Sequence, residues 1–348
     1  SKEDLCEAVE FAHKNNVKVH VTLNIIPHEK EFTGLKDYIL FLDKIKVDAV
    51  IVSDPGIFME VKKNSNIDIH ISTQASVTNA ETINFWSMLG AKRVVLAREL
   101  TIDEIREIRK KIPEDMELET FVHGAMCISY SGRCLLSNYM TGRDANQGDC
   151  AQACRWKYNL VEEKRPGEYF PVVEDKDGTF IMNSKDLCLL PELSELIDAG
   201  VTSFKIEGRV KTQYYVSTVI HAYRQALDLI AEGKFTEEKI DYLLNELSKT
   251  SHRHFTKGFF YGNPKAGGQN YETSAYLHSY DFVGAVKAYD EEKKCALIEE
   301  RNKISIGDKL EIFGSAAGYQ EVEIDKIWKE NWEEVFEANV PRNLFWIK

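Results

Sequence analysis

The sequence predicts an α/β fold: a (β/α)8-type, TIM-like barrel lacking its N-terminal unit or units, followed by a small antiparallel β-barrel domain. Three observations carry this expectation. Short runs rich in Val and Ile recur at 17–24, 47–54, 67–73, 92–98, 118–123 and 202–208, each followed by a helical pattern. Strands alternating with helices give a parallel sheet, and unbroken apolar content marks strands buried on both faces. Each run also ends on polar residues, as barrel strands do where their C-terminal ends build a mouth. Finally, beyond residue 274 the pattern changes to β-type runs separated by turns, FVGAVKAYD, CALIEE and ISIGDKLEIF. A chain of 348 residues with 43% hydrophobic content can bury one large core and one small one. The expected limits are 1–250 for the barrel, 251–274 for a linker and 275–348 for the small domain.

In chain order, residues 1–16 form a helix with apolar positions at Leu5, Val9, Phe11 and Ala12. The six or seven strand-helix units that follow fall short of eight, hence the expectation of absent front units. The polar strand ends are Asn24, Asp54, Thr73 with Gln74, Arg98 with Glu99, His123, and Lys205 with Glu207. Asp54 before Pro55-Gly56 reads equally as a turn former. Arg98-Glu99 and Lys205-Ile206-Glu207 do not, because charge beside a buried strand is costly unless paired or used. An insertion of about eighty residues (124–201) precedes the last strand, far longer than an ordinary βα loop. Inside it a hairpin is expected with its turn at Asp177-Gly178. A helical stripe over 212–233 ends at a Gly cap, and 234–250 gives a further helix. In the linker, His252 and His254 read as solvated.

The insertion holds four of the seven cysteines, Cys127, Cys134, Cys150 and Cys154, separated by six, fifteen and three residues. Disulfides are disfavoured by the odd cysteine total and by the lack of a secretory leader. Zinc sites usually draw on close C-x2-4-C pairs, which only Cys150 and Cys154 approach. The long first step suits a looser loop around an iron-sulfur cubane. Spacing alone leaves iron-sulfur, zinc and redox or buried thiols all open. Cys188 is an alternative fourth ligand, while Cys6 and Cys295 read as small buried hydrophobes.

Glu119, Phe121, Gly124, Ala125, Met126, Cys127, Gly132, Cys134, Leu136 and Ser137 match every position of the peptidase U32 signature. The chain therefore resembles that family. RDANQGDCAQACRWKY (143–158), EEKRPGEYFPV (162–172), IMNSKDL (181–187) and FKIEGRVK (204–211) extend the likeness to its tRNA-hydroxylation branch. The resemblance implies a prephenate-dependent enzyme that converts wobble uridine to 5-hydroxyuridine, with a 4Fe-4S cluster on the four cysteines. It also implies a barrel that begins before Ser1. The cluster and the substrate pocket then form one site at the barrel mouth. Catalytic candidates are His123, Glu119, Lys205 and Glu207. Substrate-binding candidates are Arg98, Gln74, Asn24, Arg155 and Arg209, since arginine binds a dicarboxylate in a bidentate way.

A net charge of −12 argues against nonspecific RNA binding, though Arg143, Arg155, Lys157, Lys205, Arg209 and Lys211 gather near the proposed site in sequence. No apolar run reaches the ~20 residues of a bilayer span, so no membrane partner and a cytoplasmic address are expected. A collagenase-like peptidase is the alternative the family name raises, with Cys127 and His123 as its one nucleophile-base pair. H-E-x-x-H and G-x-S-x-G are absent. A noncatalytic RNA-binding module with structural zinc is the third reading.

Overall fold

A computed structural model describes residues 1–127, 129–131, 133–156, 159–160, 170–171, 184–264, 268, 277, 279–314 and 318–348. The expected turn at Asp177-Gly178 lies outside them, as do Gly132, Lys157 and the side chain of Arg155. Two compact units divide the chain. The first comprises residues 1–210, 226–241 and 252–276, and the second 211–225, 242–251 and 277–348.

The first unit alternates strands and helices. Helix α1 (Lys2–Lys14) precedes β1 (His20–Leu23), α2 (Leu35–Lys44), β2 (Ala49–Val52), α3 (Pro55–Asn64), β3 (Asp68–Ile71), α4 (Ala80–Leu89), β4 (Arg93–Val95), α5 (Ile102–Arg109) and β5 (Glu117–Ala125). Local chemistry sets these boundaries. Asp54, read from sequence as a strand-end or turn residue, caps α3: its Oδ1 accepts the Ile57 N–H at 3.0 Å, with Pro55 opening the helix. Thr101 and Glu104 close a capping box on α5, and Gly90 ends α4 at φ 98°.

Further along come α6 (Leu136–Thr141), the two-residue strands β6 (Asn159–Leu160) and β7 (Phe170–Pro171), β8 (Asp186–Cys188), α7 (Leu193–Asp198) and β9 (Ser203–Ile206). Helices α8 (Gln213–Ala231) and α9 (Glu237–Ser248) then precede β10 (Phe255–Thr256). The division between the units runs through both of these helices. The main sheet has the order β1-β2-β3-β4-β5-β8-β10, with β9 also paired to β5.

Strand β5 is the branch point. Residues Glu119 to His123 pair parallel with β9, and His123 to Ala125 pair antiparallel with β8. Gly124 makes the fork possible: at φ 112° a side chain is strained, and a Cβ would fall 2.8 Å from both Cβ and O of Glu207.

The structure adds detail to three expectations. The sheet is mostly parallel, not wholly so, and among the described residues no ladder closes it into a ring. The stretch 124–201 is not insertion throughout, because β8 and α7 lie within it; a three-residue strand is too short to show periodicity. The segment 251–274 is more than linker, since β10 pairs with β8 and His252 is buried rather than solvated.

Besides parts of α8 and α9, the second unit is antiparallel β structure. It contains β11 (Gly284–Asp290), β12 (Cys295–Glu300), β13 (Ile304–Ser305), β14 (Lys309–Gly314), β15 (Gly318–Glu323), β16 (Ile327–Lys329), β17 (Glu334–Val335), β18 (Glu337–Ala338) and β19 (Leu344–Ile347). A five-stranded sheet β11-β12-β19-β16-β17 accompanies the ladders β13-β18 and β14-β15. Ile298, Ile304, Ile324, Ile327, Phe345 and Ile347 form its core, and Cys295 is buried as expected of a small hydrophobe. Lys249 sits in this unit between Glu246 Oε1 at 2.8 Å and Glu311 Oε2 at 2.6 Å.

Candidate active site

Strand register decides which side chains share a face of the sheet. His20 stands opposite Ala49, Ala49 opposite Asp68, His70 opposite Arg93, Arg93 opposite Glu117, and Glu119 opposite Ser203. Two-residue alternation then places His20, His70, Arg93, Glu119, Ser203 and Lys205 on one face. The other face, with Val50, Val52, Ile69, Ile71, Val94 and Leu118, is apolar and buried. Parallel sheets ordinarily bury apolar residues on both faces. The charged face is tolerated because its members satisfy one another.

Glu119, 6% exposed, is the centre. It receives Lys205 Nζ at 3.0 Å, Arg93 Nη1 at 3.0 Å and Ser203 Oγ at 2.7 Å. Arg93 Nε also reaches Glu117 Oε2 at 2.7 Å. Burial alone would raise the Glu119 carboxyl, but Lys205, Ser203 and Arg93 outweigh it and hold the group below its usual range. His70 is pushed down to about 3, first by burial and then by the charge of Arg93 and the neighbouring His20. His20 meets His70 edge to face at 4.7 Å and is lowered by burial and by Arg93. Both rings are therefore neutral at pH 7 and add no charge to the cluster.

These shifts set the acid response of the first unit. The folded state favours neutral His70, so its contribution is complete above pH 6.5 and is lost as pH falls from 6.5 towards about 3. Glu119, with a folded value below 4.5, adds a loss of the same sign at lower pH. One such group gives a slope of at most about 1.4 kcal/mol per pH unit. Urea unfolding at pH 7, 6 and 5 is expected to show a falling midpoint, and His70→Gln to flatten that fall.

At the C-terminal ends of the strands, Asn24 Nδ2 donates to Ser72 Oγ at 3.3 Å, and Ser53 Oγ donates to Asn24 O at 2.8 Å. Gln74 is buried in the 3₁₀ turn Thr73–Ala75. The Arg98 guanidinium lies 3.8 Å over the Phe121 ring and donates to Ala125 O at 2.6 Å. His123 is 1% exposed and packs against Phe255. Glu207 N donates to His123 O at 2.9 Å, and the Glu207 carboxylate accepts Arg209 N at 3.0 Å. The structure thus joins Glu119 directly to Lys205. Arg98, His123, Glu207 and Arg209 gather around the end of β5, while Asn24 and Gln74 lie at the ends of β1 and β3. In the second unit, Lys211 Nζ donates to Ser251 O at 3.1 Å.

The cysteine segment has its own fold. Helix α6 packs on the 3₁₀ turn Ala153–Arg155. Ser137 Oγ ties the segment internally, accepting Ala151 N–H and donating to Arg143 O, each at 2.8 Å. Two contacts fix it to strand-end loops. Asn146 Oδ1 accepts Ile26 N–H at 2.8 Å while its Nδ2 donates to Ile26 O at 3.0 Å, imitating a strand pairing just beyond β1. At Gly148, φ 78°, a Cβ would lie 2.6 Å from Arg209 Nη1, so the missing side chain makes room for that guanidinium.

All seven cysteines are thiols. Leu136 N–H points at Cys134 Sγ, 3.4 Å away, and Gln152 N–H at Cys150 Sγ, 3.3 Å away. Such donors stabilise negative sulfur, as a thiolate ligand requires. Cys188 instead is buried in β8 opposite His123. Among the described residues no group of three or more His, Cys, Asp or Glu is gathered to hold a metal ion. The donor chemistry of the loop cysteines fits an iron-sulfur group, although among the described residues the thiols are not gathered into a cage.

Arg93, Ser203, His20, His70 and Asn146 were not singled out from sequence. The signal for His20, His70 and Ser203 is the polar-apolar alternation of HVTL, IDIHI and SFKI, while Arg93 follows Lys92 in KRVV and shows no such pattern.

The comparisons with known proteins agree with this organisation. Residues 1–270 match the model for peptidase family U32, and residues 278–348 that for the peptidase family U32 C-terminal domain. The chain belongs to peptidase family U32. It is 40% identical over 342 residues to tRNA hydroxylation protein P1 of Bacillus subtilis, covering 97% of this chain and 80% of that one. Against tRNA hydroxylation protein P of Escherichia coli it is 38% identical over 354 residues, 89% of this chain and 76% of the relative. An uncharacterized protease of Methanocaldococcus jannaschii is 39% identical over 344 residues, covering 96% and 82%. This U32 chain is therefore a homologue of tRNA hydroxylation proteins. No helix among its described residues is long and apolar enough to cross a membrane.

The second unit of the U32 chain carries a cavity of about 1130 Å³ walled by Tyr214, Phe282 and Phe313. Its charged lining, Arg224 and Lys309 against Asp281, Asp308 and Glu311, gives no preference for phosphate.

Proposed function

We propose that this chain is a tRNA hydroxylase that converts wobble uridine to 5-hydroxyuridine, with prephenate or a similar dicarboxylate as co-substrate. The similarity to tRNA hydroxylation proteins over nearly the whole chain carries the reading. Cys127, Cys134, Cys150 and Cys154 would hold a 4Fe-4S cluster, and the N–H···S contacts at Cys134 and Cys150 suit sulfur ligands there. The cluster, when bound, would supply one-electron and Lewis-acid chemistry close to the substrate.

The rest of the work falls to the protein's own side chains. Arg98, which lies over the Phe121 ring, and Arg209, seated against Gly148, would with Arg155 take a dicarboxylate. Glu207 positions Arg209 through the turn it caps. Glu119 and Lys205 hold opposite charges at 3.0 Å, so the buried carboxylate fixes where the ammonium group stands. The same reading takes the sheet as part of a (β/α)8-type barrel with these groups around its mouth. The peptidase alternative has weaker support, because Cys127 is exposed while His123 is buried, without the open face that a nucleophile and its base share.

The test is complementation. In cells that lack their own wobble-uridine hydroxylation, expression of this chain is expected to restore 5-hydroxyuridine, read by mass analysis of digested tRNA. A chain that is expressed, contains iron and sulfide and yields no 5-hydroxyuridine would overturn the proposal.

A further inference from the structure

We propose that the outer face of the cysteine segment is a base-stacking platform for single-stranded RNA, built by Tyr130, Tyr139 and Trp156 with Arg133 at its margin. This deepens the tRNA reading and rests on it. The first observation is burial of the wrong sign. Within some thirty residues, Tyr130 is 44% exposed, Leu135 75%, Tyr139 87%, Met140 40% and Trp156 46%. Isolated apolar residues on a surface need no explanation, but a run of them on one small folded segment marks an interaction site.

The second observation is how the rings are held. Tyr139 projects from α6, Trp156 follows the 3₁₀ turn Ala153–Arg155, and those two elements pack together. The Ser137 hydroxyl, which locks α6 to residues 143 and 151, keeps them in register. The Asn146 clamp on Ile26 fixes the whole segment beside the end of β1. Tyr139 and Trp156 therefore stand on a braced support, and a braced aromatic surface loses little entropy when a base stacks on it.

Chemistry selects the partner. A wholly aliphatic patch would suit another protein or a lipid; beside Leu135 and Met140 this one presents three aromatic rings, whose π-faces accept any nucleobase. The local charge points the same way. Residues 127–156 carry three arginines against two aspartates, in a chain whose net charge is −12. Arg143 is paired with Asp149 at 2.8 Å, while Arg133 is exposed in the turn after Tyr130. Stacking with modest phosphate attraction favours unpaired loop nucleotides over a duplex, whose bases are already stacked. An anticodon loop, whose target uridine has to leave its stack to be modified, has that character.

The experiment measures binding of an unmodified tRNA transcript to the full chain by fluorescence anisotropy at several salt concentrations. Tyr139→Ala and Trp156→Ala alter exposed side chains, so folding should persist, as checked by unfolding midpoint. Each is expected to weaken binding about ten-fold with an unchanged salt slope, with Tyr139→Phe restoring most of the loss. Arg133→Ala should reduce the salt slope by roughly one. Variants that bind as tightly as the unsubstituted chain would overturn the platform while leaving the tRNA reading intact. No binding by the unsubstituted chain would remove the tRNA reading itself. If Tyr139→Ala only dissociates a dimer seen by sedimentation, the surface joins copies of the chain, and the platform is again refuted.

Discussion

A Cys150→Ser protein is expected to lose nearly all hydroxylation and most of its iron and sulfide while keeping its fold. Serine is nearly isosteric with cysteine, but its hydroxyl stays protonated at neutral pH and is a poor ligand for iron beside thiolates. It can still accept the Gln152 N–H, so the local turn survives. That turn is not cheap: Gln152 sits at φ 57°, a left-handed conformation that costs a non-glycine residue about 1 kcal/mol. Cys188→Ser is the informative companion. Cys188 is held in β8 opposite His123, inside the sheet, and its replacement is expected to leave the iron content unchanged. Iron and sulfide analysis after anaerobic purification, with mass analysis of tRNA from the same cells, reads both outcomes. Full hydroxylation by Cys150→Ser would exclude the thiolate role.

How far the sequence reveals this arrangement depends on the range of the forces involved. Strands β1 to β5 and β9 were legible because short β-branched and apolar runs recur there, most of them followed by a helical pattern, even though one face of the sheet is charged. Strand β8 was not, since DLC is three residues long and its pairing with β5 depends on a fork that only Gly124 permits. Phe255–Thr256 hid for a similar reason, in a stretch whose composition is that of a loop. The same limit applies to the site. The cysteines and the charges at 98, 205 and 207 announce themselves by residue type. The partnership of Arg93 with Glu119 is made by register across neighbouring strands, and Asn146 acts on a residue 120 positions away. Asp54 shows the converse case, a polar strand end whose purpose is to cap the next helix.

The second large effect is expected from Lys205→Met. Methionine preserves the length and apolar stem of lysine and removes one of the two cations facing a carboxylate that is 7% exposed. Breaking a buried pair from one side typically costs 3–5 kcal/mol, because the remaining charge is stranded. Here Arg93 and Ser203 still engage Glu119, so about 2–3 kcal/mol is expected. The sign of the pH effect identifies the cause. Lys205 helps hold the Glu119 carboxyl low, so its loss raises the folded value, and the variant protonates at a higher pH than the unsubstituted protein. The deficit should therefore be largest near neutrality and shrink as pH falls through the raised value, where a packing defect would stay constant. Glu119→Gln in the Lys205→Met background should recover part of the lost stability. The amide carries no charge to strand, and Arg93 retains Glu117 as its partner. Urea midpoints for the four proteins of this cycle, at pH 7 and pH 5, measure the coupling. Additive effects at both pH values would mean that Lys205 supports the sheet by its volume and not by its charge.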